Sequence, residues 1–382
     1  MKKIFGTVFC MVIILCSVLI VCGVDKNDTQ KVSEYNVEDY HIKGNGEDCT
    51  EALQELVDLV YAQGGGTIVF NQGIYACKAI NIKSNVSFKG KGMGETTLKR
   101  LPGDNIDGAF IYVPNYAIGF SISDLSIYGN KENDDRDTIG LKFQDGTTWS
   151  FEGDIYDFVK DPQMVVPDNV ERTYKYALIE NIYVLDFKSH GIYIGNVNYA
   201  VMMNDFHSYN NEGCGLYNLS TDNMFTNCYL ESNGQSGLYN EGGNCKFENV
   251  KSIWNGRNDH SAWGVLNKSR RCLYLNIEVQ DNWCNGLYTN GADNSFVNVL
   301  SDTNGYMYAG PMSPQDCIMI QVTGTRNRII GACSQYRTEL DTVAAYALVM
   351  EDCVDCRIDV TVDEKCSVNG SIIDEQQCYK MS

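Results

Sequence analysis

Three stretches of the sequence gather side chains that can move protons or hold a charged ligand. Lys131-Glu132-Asn133-Asp134-Asp135-Arg136-Asp137-Thr138 places three aspartates within four positions. Gly256-Arg257-Asn258-Asp259-His260-Ser261 sets a guanidinium beside a carboxylate and an imidazole, and Gly305-Tyr306-Met307-Tyr308 opens a third stretch that runs to Gln315-Asp316. Carboxylates such as Asp135 and Asp137 suit general acid–base work on a glycosidic bond, or Ca²⁺, the one metal candidate. As an acidic surface loop they need do neither. The chain has 4 histidines, and His190 and His260 fall near these stretches. Flat rings suit the apolar face of a pyranose, and charged groups suit its hydroxyls. The catalytic candidates are therefore Asp135, Asp137, His190, Arg257, Asp259 and His260. The substrate-binding candidates are Trp149, Glu212, Trp283, Tyr306 and Tyr308.

A repeat must position them. From Ala177 to Asn304 an apolar residue is followed two places later by Asn, at Asn181, Asn204, Asn227, Asn249, Asn276 and Asn298, in steps of 23, 23, 22, 27 and 22. A second Asn follows six places on, at Asn210, Asn233, Asn255, Asn282 and Asn304, and then Gly plus an apolar residue starts the next run. The runs are short, alternating and rich in Tyr, Val, Ile and Phe, so they read as strands. Coils of about 22 residues hold three short strands and three turns, and stacking them buries one core. A buried Asn at one turn can bond its copies above and below. The fold expected is all-β, a right-handed parallel β-helix. The three chemistry-bearing stretches lengthen one and the same turn, so they should rise on one side of the solenoid, as binding faces of repeat proteins do.

Ahead of the repeats, Asp48 or Thr50 can cap a helix whose stripe is Leu53, Leu56, Val57 and Val60, and which Gly64-Gly65-Gly66 ends. Such a helix would cover the open end of the first coil. Gly44-Asn45-Gly46-Glu47-Asp48-Cys49-Thr50-Glu51-Ala52-Leu53, Gly64-Gly65-Gly66-Thr67-Ile68-Val69-Phe70, Gly73-Ile74-Tyr75, Val86-Ser87-Phe88-Lys89-Gly90 and Glu95-Thr96-Thr97-Leu98 stand in that order. The series resembles the N-terminal part of the pectate lyase superfamily, in the group shared with rhamnogalacturonase-like and phage tailspike-like β-helices. The resemblance covers residues 40–130. It implies the fold, and a group containing hydrolases, lyases, epimerases and non-catalytic spikes. Ser189-His190-Gly191-Ile192-Tyr193-Ile194-Gly195 resembles the His-Gly segment of the polygalacturonase family. The Asp-Asp pair that family carries in the preceding coil is missing here, and its Arg-Ile-Lys is replaced by Gly215-Leu216-Tyr217-Asn218.

Composition narrows the partners. Formal charge is −19 over 382 residues, and removing residues 1–21 with Lys2 and Lys3 leaves −21. That argues against nucleic acid. A polyanionic substrate needs Ca²⁺ or a local basic patch to bridge the repulsion. Met1-Lys2-Lys3 before Ile4–Val21 reads as an export signal or an uncleaved anchor. Leu19-Ile20-Val21-Cys22-Gly23 resembles a lipobox, which makes Cys22 a lipidation candidate; Val21 departs from the small residue expected there. The organisation expected is a signal over 1–22, a polar tether over 23–39 and one β-helix domain over 40–382. Membrane contact would come only through the N-terminus, and the protein would be secreted or held at the cell surface. Of 16 cysteines, 13 lie after Cys22. Several share a repeat phase, so stacked free thiols are expected, with Cys366–Cys378 as the best disulfide pairing.

The residues favour an enzyme, a glycoside hydrolase or a polysaccharide lyase acting on a glycan that could contain uronates. A lyase needs a base beside a group that neutralises the uronate carboxylate, and Arg257 is the basic residue placed among acids. Lys268, Arg270 and Arg271 cluster on a different turn. The alternative is a non-catalytic glycan-binding or structural surface protein.

Overall fold

The computed structural model describes residues 33–146, 174–305, 317–337, 344–373 and 378–380. Its strands form two long sheets in which every named pairing is parallel, and the fold is a right-handed parallel β-helix. Sheet A runs from Glu34–Asn36 through Tyr174–Leu185, Tyr199–Tyr209, Met224–Glu231, Lys246–Ile253 and Leu273–Gln280 to Cys378–Lys380. Sheet B runs from Ile80–Asn81 through Ile139–Phe143, Ile192–Ile194, Leu216–Asn218, Leu238–Asn240 and Trp263–Asn267 to Ser371–Ile373. The first strand lies inside the span expected to be tether: Glu34–Asn36 pairs with Thr67–Val69, and Val37 is buried.

Each regular coil carries two strands, not three. The long one is bent where the repeat Asn adopts a left-handed backbone, with φ of 52° at Asn181, 52° at Asn227, 55° at Asn249 and 55° at Asn276. Asn tolerates that conformation better than other side chains. The bend makes the third side of the coil. These asparagines are exposed or half-buried, contrary to the buried position expected, yet they still form a ladder. Asn249 donates to Asn227 at 2.9 Å, Asn276 to Asn249 at 2.9 Å and Asn298 to Asn276 at 2.9 Å. The buried ladder is the second one. Asn211 donates to Asn233 at 3.0 Å, Asn233 to Asn255 at 2.9 Å, Asn255 to Asn282 at 3.2 Å and Asn282 to Asn304 at 2.8 Å. One coil reads a residue later than its sequence suggests. Asp205 (φ 53°) takes the bend and Asn211 the buried rung, because Asn204 pairs with Thr226.

Inside the stack, Phe225, Phe247, Tyr274 and Phe296 lie ring on ring with centroids 4.8, 4.7 and 4.1 Å apart. Offset stacking of this kind adds to the area buried. Helix α1 (Thr50–Ala62) starts where expected: Asp48 Oδ1 accepts the Thr50 N–H at 2.9 Å. It buries Leu53, Leu56, Val57 and Val60 against Gly66–Val69, Ile80–Asn81 and Val86–Lys89 at the first coils.

Thiols substitute for amides at one corner. Before each sheet-A strand, Asn223, Cys245, Cys272, Asn294, Asn327 and Cys356 occupy successive rungs. Cys272 Sγ accepts the Cys245 N–H at 3.3 Å, and Asn294 accepts that of Cys272 at 3.0 Å. Cys214, Cys228, Cys245, Cys272, Cys284, Cys333, Cys356 and Cys366 are buried thiols outside any disulfide. The expected Cys366–Cys378 bridge is therefore corrected: Cys366 fills a buried place as a small apolar residue.

Candidate functional site

Two of the three lengthened turns, those after Asn130 and Asn255, lie along one corner, where sheet A gives way to sheet B; the third falls outside the described residues beyond Gly305. Backbone bonds stack them: Ser189 N–H to Thr138 O, Gly213 N–H to Ser189 O, Gln235 N–H to Gly213 O, and Asn258 N–H to Gly234 O at 2.8 Å. Trp149, Tyr306, Tyr308 and Cys22 lie outside the described residues, as do residues 1–32.

On the sheet-A flank of this corner two cations meet. Lys131 reaches from one coil to donate to the Asn210 carbonyl at 2.6 Å. Arg257 reaches back from another to donate to the Asn210 side-chain oxygen at 2.5 Å. Asn210 in turn donates to Asp186. Burial lowers the pKa of Lys131, and Arg257 beside it lowers it further, against the opposing pull of Asp186, Glu212 and Glu132. Burial likewise lowers that of Arg257, against Glu212 and Asp186. The corner therefore holds two adjacent, partly desolvated cations edged by carboxylates.

The strand leading into this corner presents an outward row at Tyr183, His207, Tyr229, Lys251 and Glu278. His207 Nε2 lies 3.0 Å from Glu231 Oε2, and its ring sits among Tyr183, Tyr209 and Tyr229 at 4.6–5.4 Å. Burial lowers the His207 pKa more than Glu231 raises it, so the imidazole is neutral at neutral pH. Tyr209 joins the two groups. Its ring is 4.7 Å from His207, it feels Asp186 and Glu231, and it precedes Asn210 in the chain.

The other expected residues fall elsewhere. Asp134 is buried and bound to Arg100 at 3.0 Å, a structural ion pair. Asp135 is exposed, 4.0 Å from Lys188, and Asp137 is exposed. Among the described residues no three Asp, Glu, His or Cys side chains converge to hold a metal ion. His190 points to the sheet-B flank. Its Nδ1 accepts the Cys214 N–H at 2.9 Å, its ring is 4.8 Å from Tyr217, and burial drops its pKa to about 4. Asp259 turns back on its own loop, accepting from Ser261 N–H at 2.9 Å and hydroxyl at 2.7 Å. His260 Nδ1 lies 3.9 Å from Cys284 Sγ, and Trp283 is half-buried one rung past Asn255. Of the expected set, Arg257 and Glu212 share the cation cluster.

Lys131, Asp186, His207, Tyr209 and Asn210 were not singled out by the sequence. A signal existed for two of them. Lys131 follows the rung residue Asn130 as Glu212 follows Asn211, and His207 stands two past the bend, where alternation sends a side chain outward. The shift to Asp205 hid that.

With the site in view, the comparisons carry weight. No family model matches the chain. Over 230 residues, 54% of this chain and 22% of the other, it is 28% identical to mannuronan C5-epimerase AlgE2 of Azotobacter vinelandii. Over 122 residues, 28% of this chain and 14% of the other, it is 37% identical to alginate lyase 7 of the same organism. The matches thus span about a fifth or less of those relatives' lengths. Among solved structures, the enzymatically active domain of bacteriophage CBA120 tailspike protein 2 superposes with a TM-score of 0.69 at 17% identity, covering 86% of this chain and 47% of that one. The A-module of the A. vinelandii mannuronan C-5 epimerase AlgE4 gives 0.61 at 18% identity, covering 91% and 100%. The fold is thereby the right-handed parallel β-helix shared with pectate lyase-like proteins.

Proposed function

We propose that this chain is an exported, polysaccharide-active β-helix protein that acts on a uronate-containing glycan by removing the proton at C5, as a lyase or an epimerase. The observation carrying the reading is the Lys131–Arg257 pair meeting at Asn210 in a chain of formal charge −19. Two adjacent cations in an acidic protein suit a bound carboxylate. Neutralising a uronate carboxylate is what makes its C5 proton removable, since charge otherwise builds up on that group. Inversion at C5 and β-elimination share this first step. The relatives named for mannuronan and alginate supply the substrate class.

In this reading Lys131 and Arg257 hold the carboxylate. Asp186 and Glu212 fix the two cations. Neutral His207, oriented by Glu231, accepts the proton, with Tyr209 between the two groups. A hydrolase is less well supported, because Asp135 and Asp137 are both exposed and the relatives above are named as epimerase and lyase. The test incubates the protein with polymannuronate, alginate and polygalacturonate in deuterated buffer. Ultraviolet absorbance of an unsaturated uronate means lyase, since elimination leaves C5 without a hydrogen, and deuterium at C5 of inverted residues means epimerase. New reducing ends without that absorbance, or no turnover of any uronate by folded protein, defeats the proposal.

A further inference from the structure

We propose that a second cleft, at the opposite edge of sheet B, binds the carboxylates of an acidic polysaccharide. Its ligand class rests on the polyuronate reading above; its geometry does not. The cleft encloses about 580 Å³, within the ~300–1,000 Å³ usual for ligand sites. Lys268, Arg270 and Arg271 line it from the single turn that follows the strand Trp263–Asn267. Glu241 is the one carboxylate in the lining, and it is engaged by the Tyr239 hydroxyl. Asp293, close by, is held by Arg326 at 2.6 and 2.8 Å. The three cations thus stand together in a chain with 49 acidic and 30 basic residues, where an unselected surface turn would carry the opposite sign.

The rest of the lining suits a sugar acid. Lys268 Nζ lies 5.0 Å over the Tyr239 ring and 3.0 Å from its hydroxyl, which holds the ammonium beside an aromatic ring next to the cleft. Gly291 and Gly324 also line it, and both are set by the close packing of adjacent coils: a Cβ on Gly291 would lie 1.4 Å from the Ser269 carbonyl, and Gly324 has φ of 85°. Asn290 and Thr325 add amide and hydroxyl donors. Arginine guanidiniums match carboxylates bidentately. The cleft and the Arg257 loop flank the two ends of the strand Trp263–Asn267, roughly 15–20 Å apart at ~3.3 Å per residue. One extended acidic chain can therefore touch both while passing over Leu266 of this strand, beside its pairing partner Tyr239.

The experiment titrates full-length protein with oligomannuronate and with a neutral glucan oligomer by calorimetry. It compares wild type, the triple variant Lys268→Gln/Arg270→Gln/Arg271→Asn, and a charge-matched control, Lys43→Gln/Lys89→Gln/Lys365→Gln. Asn is chosen at 271 because Arg271 has φ of 58°. Wild type and control bind the oligouronate and not the glucan, and the triple variant binds it roughly tenfold or more weakly with an unchanged melting temperature. Equal weakening in the control, unchanged binding in the triple variant, or no oligouronate binding by wild type overturns the cleft. Turnover, as unsaturated product or as deuterium at C5, is read separately. Binding lost only in the triple variant with no turnover by any protein removes the catalytic reading and leaves the cleft. Turnover with unchanged binding does the reverse.

Discussion

Asn210 brings the two cations together, since Lys131 donates to its backbone carbonyl and Arg257 to its side-chain oxygen from coils on either side. Arg257→Gln removes one of two charges facing a substrate carboxylate. It should lower kcat/KM on polymannuronate about a hundredfold, and Arg257→Lys should recover only part of that, because the reach to Asn210 and the forked geometry are lost. Steady-state kinetics with the melting temperature as control checks both. His190 sits in a different role. Its pKa falls to about 4 when folded, against a usual value near 6.5. The unfolded state therefore takes up a proton first as pH drops. Stability is complete above ~6.5 and is lost as pH falls toward ~4, by about 3 kcal/mol. Urea melts at neutral and acid pH should show this slope in the wild type and its absence in His190→Gln. The sequence marked both histidines as candidates by turn phase alone. It could not show that His190 turns to the tyrosine flank, because a corner has two flanks and one phase covers both. Nor could it reveal Lys131, whose partner lies 79 positions away.

At the scale of the coil, the two asparagine ladders differ in what they do. The exposed one sets a left-handed bend, so Asn249→Gly, which keeps that conformation available, should change stability by less than about 1 kcal/mol. The buried one satisfies backbone. Asn255 accepts from the Asn233 N–H at 3.0 Å and side chain at 2.9 Å, and donates to Leu230 O at 2.9 Å. Asn255→Ala strands several buried groups at once and should cost about 3 kcal/mol or more. Comparing thermal midpoints of the two variants separates the roles. The period, the parallel stack, the capping helix and the common corner of the long turns after Asn130 and Asn255 were all readable from spacing. Which of two asparagines is buried was not, because both recur at the same interval. The deciding factor is the direction the side chain takes after the bend. That same ambiguity put Asn204 and Asn210 on rungs that belong to Asp205 and Asn211.

For the whole molecule the salient quantity is charge. A body at −19 repels any polyuronate from a distance, and in the proposed reading its cations engage one only at contact. Raising ionic strength from about 0.01 M to 0.1 M shortens the screening length from ~30 to ~10 Å. Repulsion between the polymers should fade first, so the association rate with polymannuronate should rise over that range, where a basic protein would show a fall. Stopped-flow binding against salt checks the sign. The length of the stack matters in another respect. Thiols are buried at intervals along it, from Cys77 near the capped end through Cys214, Cys245, Cys272 and Cys284 to Cys356 and Cys366. None can meet a bulky alkylating reagent while its rung is closed. Timed labelling followed by peptide mass mapping would thus turn the row into a series of clocks, showing whether the solenoid frays from one tip or breaks in the middle.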